Sequence, residues 1–570
     1  MPRRGAGPHA RSRSRRPHPG GTRTTLNLLP RPRRILDAPS GDPLPPQGYR
    51  LTVRGGAPSV EAPDGAGEFY ARCTTEQLRR LHPEAIPDMV IEDWPDFAVR
   101  GVMLDISRDK VPTLETVERL VAVLATQKIN HVQLYMEHTF AYDGHEVVWA
   151  RASPFTAEEM AELDGFCRRL HVELSANQNC LGHMERWLAH DRYRPLAIRP
   201  DGFPDHRGRI RPPTTIRPAD PASLTLVRDL LGQLVATTGG RHVHVGLDEP
   251  WELDDDRFGD YLAHIAALRA APELDGREML MWGDIVAHHP DQASALPDGV
   301  TVCEWGYEAD SPFAARTSVL AAAGRPFWVS PGTSSWNSIL GRTTNMVDNV
   351  RAAVAAGRAD GATGLLTTDW GDNGHLQYLP VSAPGFAWAA AMSWCAESNA
   401  ELDLATALDT HVFEDPSGSL GGALLALGDA HRLVEPQLPN MSVLALPLYA
   451  PTVRMGTGWT EGMTVDGLDR VRAALDDAGA AVAGSTGRDP LVRDELANAV
   501  ALVDLLVRDA RARLGGDGSL ASVPTAARRA FADEIGLIID CHRDLWLARN
   551  RPGGLEDSVG RLSRLRAAYG

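Results

Sequence analysis

A chain of 570 residues is too long for one compact core, so two or three domains are expected. An apolar fraction of 43% is that of a globular protein, and a net charge of −16 argues against a folded part that binds nucleic acid. No apolar run of about 18 residues occurs, which excludes a membrane-spanning helix.

The first forty residues run against the acidic balance. Arg3, Arg4, Arg11, Arg13, Arg15, Arg16, Arg23, Arg31, Arg33 and Arg34 are spaced by Pro and Gly, with no apolar segment behind them. Residues 1–40 therefore read as a disordered basic tail rather than a signal, with a tether to nucleic acid or an anionic surface as the other reading. Cys73, Cys167, Cys180, Cys303, Cys395 and Cys541 are scattered without a CxxC pair. Free thiols in a reducing compartment fit this spacing, so the cytoplasm is expected.

Residues 41–96 read as a small α/β domain. Gly48 to Val53 alternates like a strand, and Gly67 to Arg72 reads as a second. A helix follows with Thr75 as its cap, and Pro83, Pro87 and Pro95 mark its exit. From Phe97 the pattern becomes short apolar strand, loop, amphipathic helix. Strands are predicted at 97–105, 131–136, 171–176, 242–247, 278–282, 300–305, 326–330 and 364–369. Helices are predicted between them near 113–127, 156–170, 221–236, 257–270, 313–323, 343–356 and 384–395. This alternation predicts an α/β fold, a (β/α)8 TIM barrel over 97–400, with an insertion from Arg192 to Asp220. Helical periodicity takes over near 402–412, 419–433, 467–483, 490–513, 524–549 and 555–568, so residues 401–570 read as an α-helical domain.

Catalytic residues of such a barrel sit at the C-terminal ends of its strands. The fourth predicted strand ends in Asp248-Glu249, two adjacent carboxylates that repel and split their pKa values. Acid/base chemistry on a sugar bond needs such a split pair. Trp282, Trp305, Trp336 and Trp370 close four successive later strands, where indole faces suit the apolar faces of sugar rings. Glu137, His183, Asp284, Glu304, Tyr307, Asn337 and Asp372 stand at strand ends as well.

Four motifs carry a resemblance to a known family. Arg100-Gly101-Val102-Met103-Leu104-Asp105-Ile106-Ser107-Arg108 resembles the first barrel strand of family 20 glycoside hydrolases, the β-N-acetylhexosaminidases. His244-Val245-Gly246-Leu247-Asp248-Glu249 is similar to that family's His-x-Gly-Gly-Asp-Glu motif, and Leu181-Gly182-His183 and Trp370-Gly371-Asp372 are similar to two further elements. Residues 48–81 resemble the small domain before the barrel, and the helical tail resembles a bacterial branch of the family.

The resemblance implies an exo-acting β-N-acetylhexosaminidase that releases terminal GlcNAc or GalNAc without cofactor or metal. It implies substrate-assisted retention, in which the sugar's own 2-acetamido oxygen displaces the leaving group and gives an oxazolinium intermediate. Glu249 is then the general acid and Asp248 the group that holds the acetamido N–H. Arg100 is assigned to the 3- and 4-hydroxyls, Trp370 and Asp372 to the far side of the ring, and Trp282, Trp305 and Trp336 to the acetamido pocket. His183 and Glu137 are assigned to a polar relay behind Glu249. The chain departs from the pattern at Leu247, at Asp372, which replaces a Glu, and in lacking the tyrosine that bonds the acetamido oxygen, for which Tyr307 and Asn337 are the candidates. The expected partner is an oligosaccharide ending in N-acetylhexosamine, with no nucleic acid and no membrane. Capping the active site, forming a homodimer and bracing the barrel all remain open for the helical domain.

Competing readings use the same residues differently. His242-x-His244 has the spacing of a metal pair in a barrel amidohydrolase. Glu304 is a candidate nucleophile for a glycosidase with an enzyme-bound intermediate. A non-catalytic carbohydrate-binding protein has no use for the acidic pair.

Overall fold

The structure is a computed structural model that describes residues 26–205 and 208–570. Its first layer is a four-stranded antiparallel sheet of β1 (Arg34–Leu36), β2 (Tyr49–Arg54), β3 (Ala57–Glu61) and β4 (Met89–Asp93), ordered β1-β4-β2-β3. Gly55 and Gly56, both at positive φ, turn β2 into β3. The segment predicted as a second strand, 67–72, is instead part of the helix Gly65–Leu81. Asp64 starts that helix by accepting from the Gly67 amide at 2.8 Å. Thr75, expected as its cap, lies mid-helix and donates to the Ala71 carbonyl.

The expected disordered tail is also corrected where it is described. Leu28 and Leu29 are fully buried, and Gln77 bonds both the amide and the carbonyl of Leu29. The Arg31 amide donates to Asn399 Oδ1, and β1 pairs with β4. Two buried leucines and a strand edge in need of a partner outweigh the local basic composition. Residues 1–25 lie outside the described residues.

The barrel follows as β5 (Val99–Asp105), β6 (His131–Tyr135) and β7 (Glu173–Asn177). The insertion contributes a short hairpin of β8 (Phe203–Pro204) and β9 (Ile210–Arg211). The barrel is completed by β10 (His242–His244), β11 (Glu278–Trp282), β12 (Val300–Trp305), β13 (Phe327–Ser330) and β14 (Gly364–Asp369). The eight barrel strands are parallel, and β14 closes on β5. Side chains alternate: Val102, Leu104, Val132 and Leu134 pack toward the helices, while Met103, Tyr135, Leu280, Trp282 and Leu366 fill the interior. The helix expected from 384 spans Leu379–Trp394, with Pro380 in its first turn and Pro384 inside it.

From residue 401 on, the described residues form helices and loops without a strand. These helices dock on the barrel top: Thr113 donates to the Arg549 carbonyl, Arg551 to that of Val111, and Arg561 pairs with Asp109 at 2.7 Å. No helix among the described residues is long and apolar enough to cross a membrane.

Candidate active site

The fourth barrel strand stops at His244, and the next residues turn sharply across the mouth. Gly246, Leu247 and Glu249 all have positive φ, at 70°, 76° and 46°. For the two non-glycine residues this is a strained backbone, of order 1–3 kcal/mol each, and it is held by specific bonds. Asn179 Oδ1 accepts from the Leu247 amide, the Tyr261 hydroxyl donates to the Leu247 carbonyl, and the Glu249 amide donates to Asp284 Oδ2 at 3.1 Å. A Cβ at Gly182 would lie 2.5 Å from the Asp248 carbonyl, so the turn packs against a residue that must be glycine.

The two carboxylates leave this turn into different surroundings. Asp248 is buried; Asn179 Nδ2 donates to its Oδ1 at 2.8 Å, and His183 Nε2 stands 3.3 Å from its Oδ2. Burial alone would raise its pKa, but His183 and Asn179 together bring it below the ordinary value. The Glu249 side chain is 37% exposed at the mouth, with Oε2 3.5 Å from His183 Nε2. Its pKa is raised, by burial and then by the charge of Asp248, with His183 opposing. His183 is pushed up to about 10: burial works against the imidazolium, but Asp248 overcomes it. The two shifts run in opposite directions, favouring the carboxylate at Asp248 and, relative to a free glutamate, the acid at Glu249.

Around this pair the acids outnumber the bases. Burial pushes Asp284 up to about 7, helped by the charges of Asp248 and Glu249. Burial also takes Glu137 to about 7, against the pull of Arg108. Tyr135 donates to Glu137 at 3.0 Å. Arg108 stands 3.1 Å from Asp105 and 3.4 Å from Glu137, between the rings of Tyr135 and Trp370. Asp372 is raised by burial, with Arg108 opposing.

Aromatic rings form the wall. Trp282 packs against His244 and Trp370, Trp305 stacks on Tyr307 at 5.0 Å, and Trp336 meets Tyr307 edge-on. Trp370 Nε1 donates to the Tyr307 hydroxyl at 2.7 Å. The helical region completes this wall from outside the barrel: Asn440 accepts from Trp336 Nε1 at 2.8 Å, and its carbonyl accepts from Asn337 Nδ2. Asn373 donates to Asn337 Oδ1.

Residues 9–94 match the family model described as glycosyl hydrolase family 20, domain 2. A β-N-acetylhexosaminidase of Cellulomonas fimi is 25% identical over 321 residues, which span 53% of this chain and 60% of that protein. The chain therefore covers about three fifths of that relative's length. A solved β-N-acetylhexosaminidase structure superposes with a TM-score of 0.53 at 18% identity, covering 68% of this chain and 96% of the other. A Streptomyces plicatus N-acetyl-β-hexosaminidase in complex with Thio-NAglucal superposes with a TM-score of 0.52 at 21% identity, covering 65% and 81%. The two structural likenesses show a shared fold. These matches show a family-20 domain 2 over residues 9–94 and a likeness to β-N-acetylhexosaminidases beyond it.

Of the residues assigned through the family-20 resemblance, the structure brings together Asp248, Glu249, Glu137, His183, Trp282, Trp305, Tyr307, Trp336, Asn337, Trp370 and Asp372. Arg100 does not join them. It opens β5 at the opposite end of the barrel, fully buried, and donates to the carbonyls of Lys128, Phe97 and Ala98 and to the Tyr70 hydroxyl. Five residue steps along the strand separate it from Asp105, about 17 Å at strand rise, which no side chain spans. The arginine at the mouth is Arg108, the last residue of the same motif. Glu304 also faces away: it is 2% exposed and pairs with Arg316 of the surrounding helix Phe313–Ala322 at 3.0 Å. His242 and His244 form no pair at the mouth, since His244 stacks on Trp282 and His242 lies at the other end of β10.

Sequence reasoning missed Arg108, Asn179, Trp251 and Asn440. Trp251 is 45% exposed two residues after the acid, beneath the guanidinium of Arg211 from the insertion hairpin. With Glu249, Asp284 and Trp305 it lines a cleft of about 300 Å³. An aromatic beside the acidic pair was a readable signal. Asn440 had none, because its role depends on how a distant helical region docks.

Proposed function

We propose that the chain is an exo-acting β-N-acetylhexosaminidase working by substrate-assisted retention. One arrangement carries this reading: two adjacent carboxyls, Asp248 shifted toward its ionised state and Glu249 toward its protonated state, face a tryptophan-walled mouth from which Glu304 turns away. The reaction needs both states at once. Glu249 gives its proton to the glycosidic oxygen while the acetamido oxygen attacks the anomeric carbon, and the leaving alcohol departs. Asp248 accepts from the acetamido N–H and stabilises the positive charge that grows there. Glu249, now a carboxylate, then takes a proton from the water that opens the oxazolinium ring and restores the N-acetyl sugar.

Arg108 is suited to bind ring hydroxyls, and Asp372 faces the same space. Tyr307 is the better candidate for bonding the acetamido oxygen. Its oxygen already accepts from Trp370, which leaves its own proton to donate, whereas Asn337 is spent on Asn373 and Asn440. The Trp251 cleft lies on the acid's side and suits the leaving group. Six unpaired cysteines fit a reducing compartment such as the cytoplasm.

Paired aryl β-glycosides with and without the 2-acetamido group test the mechanism. Cleavage confined to the acetamido substrate, with inhibition by a thiazoline mimic of the intermediate, is the expected result. Equal cleavage of both, or a glycosyl ester trapped on the protein, would overturn it.

A further inference from the structure

The closed end of the barrel carries a second cluster of titratable groups that the proposed reaction does not use. His131 opens β6, Glu173 opens β7 and His242 opens β10, three neighbouring strands. One ligand atom from each lies within 4.8 Å of the others. His242 Nδ1 stands 2.9 Å from Glu173 Oε2, and His131 Nδ1 stands 3.5 Å from the same oxygen. His131 is fully buried, and its Nδ1 has no hydrogen-bond partner. A buried polar atom left in that state costs about 1–3 kcal/mol and asks for an explanation.

We propose that this cluster is a binding site for a divalent metal ion of the zinc class, held by His131 Nδ1, His242 Nδ1 and a Glu173 oxygen. Two imidazoles and one carboxylate suit such a borderline ion. Bonds of about 2.0–2.2 Å in a tetrahedron place ligand atoms roughly 3.3–3.5 Å apart. The His131–Glu173 separation already has that value, and the His242–Glu173 pair needs to open by about half an ångström.

The surroundings orient the ligands. Trp328 packs edge-on against both rings, at 5.2 Å from His131 and 5.0 Å from His242. His242 turns its other nitrogen toward Glu278, 3.7 Å away, and Glu278 is itself held by Thr301 and Arg241. His131 Nε2 lies 2.9 Å from the Gln133 amide, which bonds Asn177 in turn. With both amides turned over, His131 Nε2–H donates to Gln133 and frees Nδ1 as a ligand. Glu173 is the exposed member, 23% open to a cleft of about 420 Å³ between the helix Gly65–Leu81 and the barrel. That cleft gives an ion its entry and a water for the fourth position.

The ion would tie the barrel at one of its two shortest ladders. β10 has three residues, and its strand register with β7 is two pairs long, Val243 opposite Ala176 and His244 opposite Asn177. A metal joining Glu173 to His242 spans that seam, and His131 extends the tie to β6.

The test uses the full-length chain, stripped with a chelator, dialysed and titrated with Zn²⁺. One ion per chain is expected, with a rise in Tm that the chelator reverses. His242→Gln and Glu173→Gln keep side-chain volume and should each weaken binding by about a hundredfold or more. His183→Gln, at the other end of the barrel, should leave it unchanged. On the unaltered chain, Co²⁺ should give the intense visible absorption of a tetrahedral site. Crystals grown with Zn²⁺ should show an anomalous peak between the three side chains, which keeps the proposal decidable even if a variant fails to fold. No binding, binding abolished by His183→Gln alone, or an anomalous peak elsewhere would overturn the assignment.

Discussion

Two arginines eight residues apart sit at opposite ends of one barrel strand, and their surroundings teach what separates architecture from chemistry. Arg100 has its donors met by three backbone carbonyls and the Tyr70 hydroxyl, with the rings of Tyr70 and Trp394 over its guanidinium. Fully buried at the far end of the strand, it presents no donor to the mouth. Arg108 is 20% exposed and faces a surplus of acids: Asp105 and Glu137 in contact, with Asp248, Glu249, Asp284 and Asp372 around them. Burial resists ionising that surplus, and Glu137 and Asp284, both lifted to about 7, are only partly ionised near neutrality. A satisfied cluster fixes the fold, and an over-acidic one can move a proton.

The largest effect expected on the mouth side is that of Glu249→Gln. Loss of a general acid should lower kcat/KM by about 10²- to 10⁴-fold on substrates with poor leaving groups. Activated aryl glycosides, which need little protonation, should lose far less. Equal losses across a leaving-group series would remove Glu249 from the acid role. Asp248→Asn comes next. It keeps shape but loses the charge that stabilises the acetamido cation, and a drop of roughly 10²- to 10³-fold in kcat is expected. A mimic of the oxazoline should still bind. Unchanged turnover would detach Asp248 from the reaction.

The arginines themselves provide the next contrast. Arg108→Met should reduce kcat/KM by about ten- to a hundredfold, the worth of one or two charge-assisted hydrogen bonds, with little change in Tm. Arg100→Met should do the reverse, removing about 3 kcal/mol of stability by leaving buried carbonyls and a hydroxyl without their donor. Activity per folded molecule should hold. If Arg100→Met abolished catalysis in a fully folded protein, the division between the two ends of the barrel would be wrong.

The exchange of these two arginines also shows what was legible in the chain. Strand ends were readable because apolar runs such as Glu278–Trp282 and Gly364–Asp369 are short, β-rich and bounded by Gly or Asp. With the strands in place, the acidic pair and the tryptophans at their C-terminal ends followed. The apolar run in the motif Arg100–Arg108 predicts a strand, and a rise of about 3.3 Å per residue sets its two arginines at opposite ends, a distinction the family resemblance does not carry. Gly67–Arg72 departs from its predicted strand for a different reason. Its aromatic pair looks like strand material, and only the Asp64 cap and the helical spacing of Tyr70, Cys73, Thr74, Gln77 and Leu78 on the sheet decide for helix. The burial of Leu28 and Leu29 depends on Gln77 and the far helix around Asn399, contacts between distant residues that local composition does not encode.

The finest test concerns His183, which holds the two carboxyls without being needed to touch substrate. With its pKa near 10 it stays cationic across the working range, stabilising the carboxylate of Asp248 and, more weakly, that of Glu249. Glu249 is active as an acid only while protonated, so kcat/KM falls as pH rises through its elevated pKa. His183→Gln removes a positive charge beside Glu249, makes its carboxylate less favourable and should move that alkaline limb upward by roughly one pH unit. Asp248→Asn removes a negative charge from the same neighbourhood, and its residual activity should show the limb moved downward. A structural role for His183 alone would lower the whole profile without shifting it. Opposite displacements in the two variants therefore separate an electrostatic tuning of Glu249 from simple loss of packing, and a shift in the same direction in both would contradict the charge arrangement at the barrel mouth.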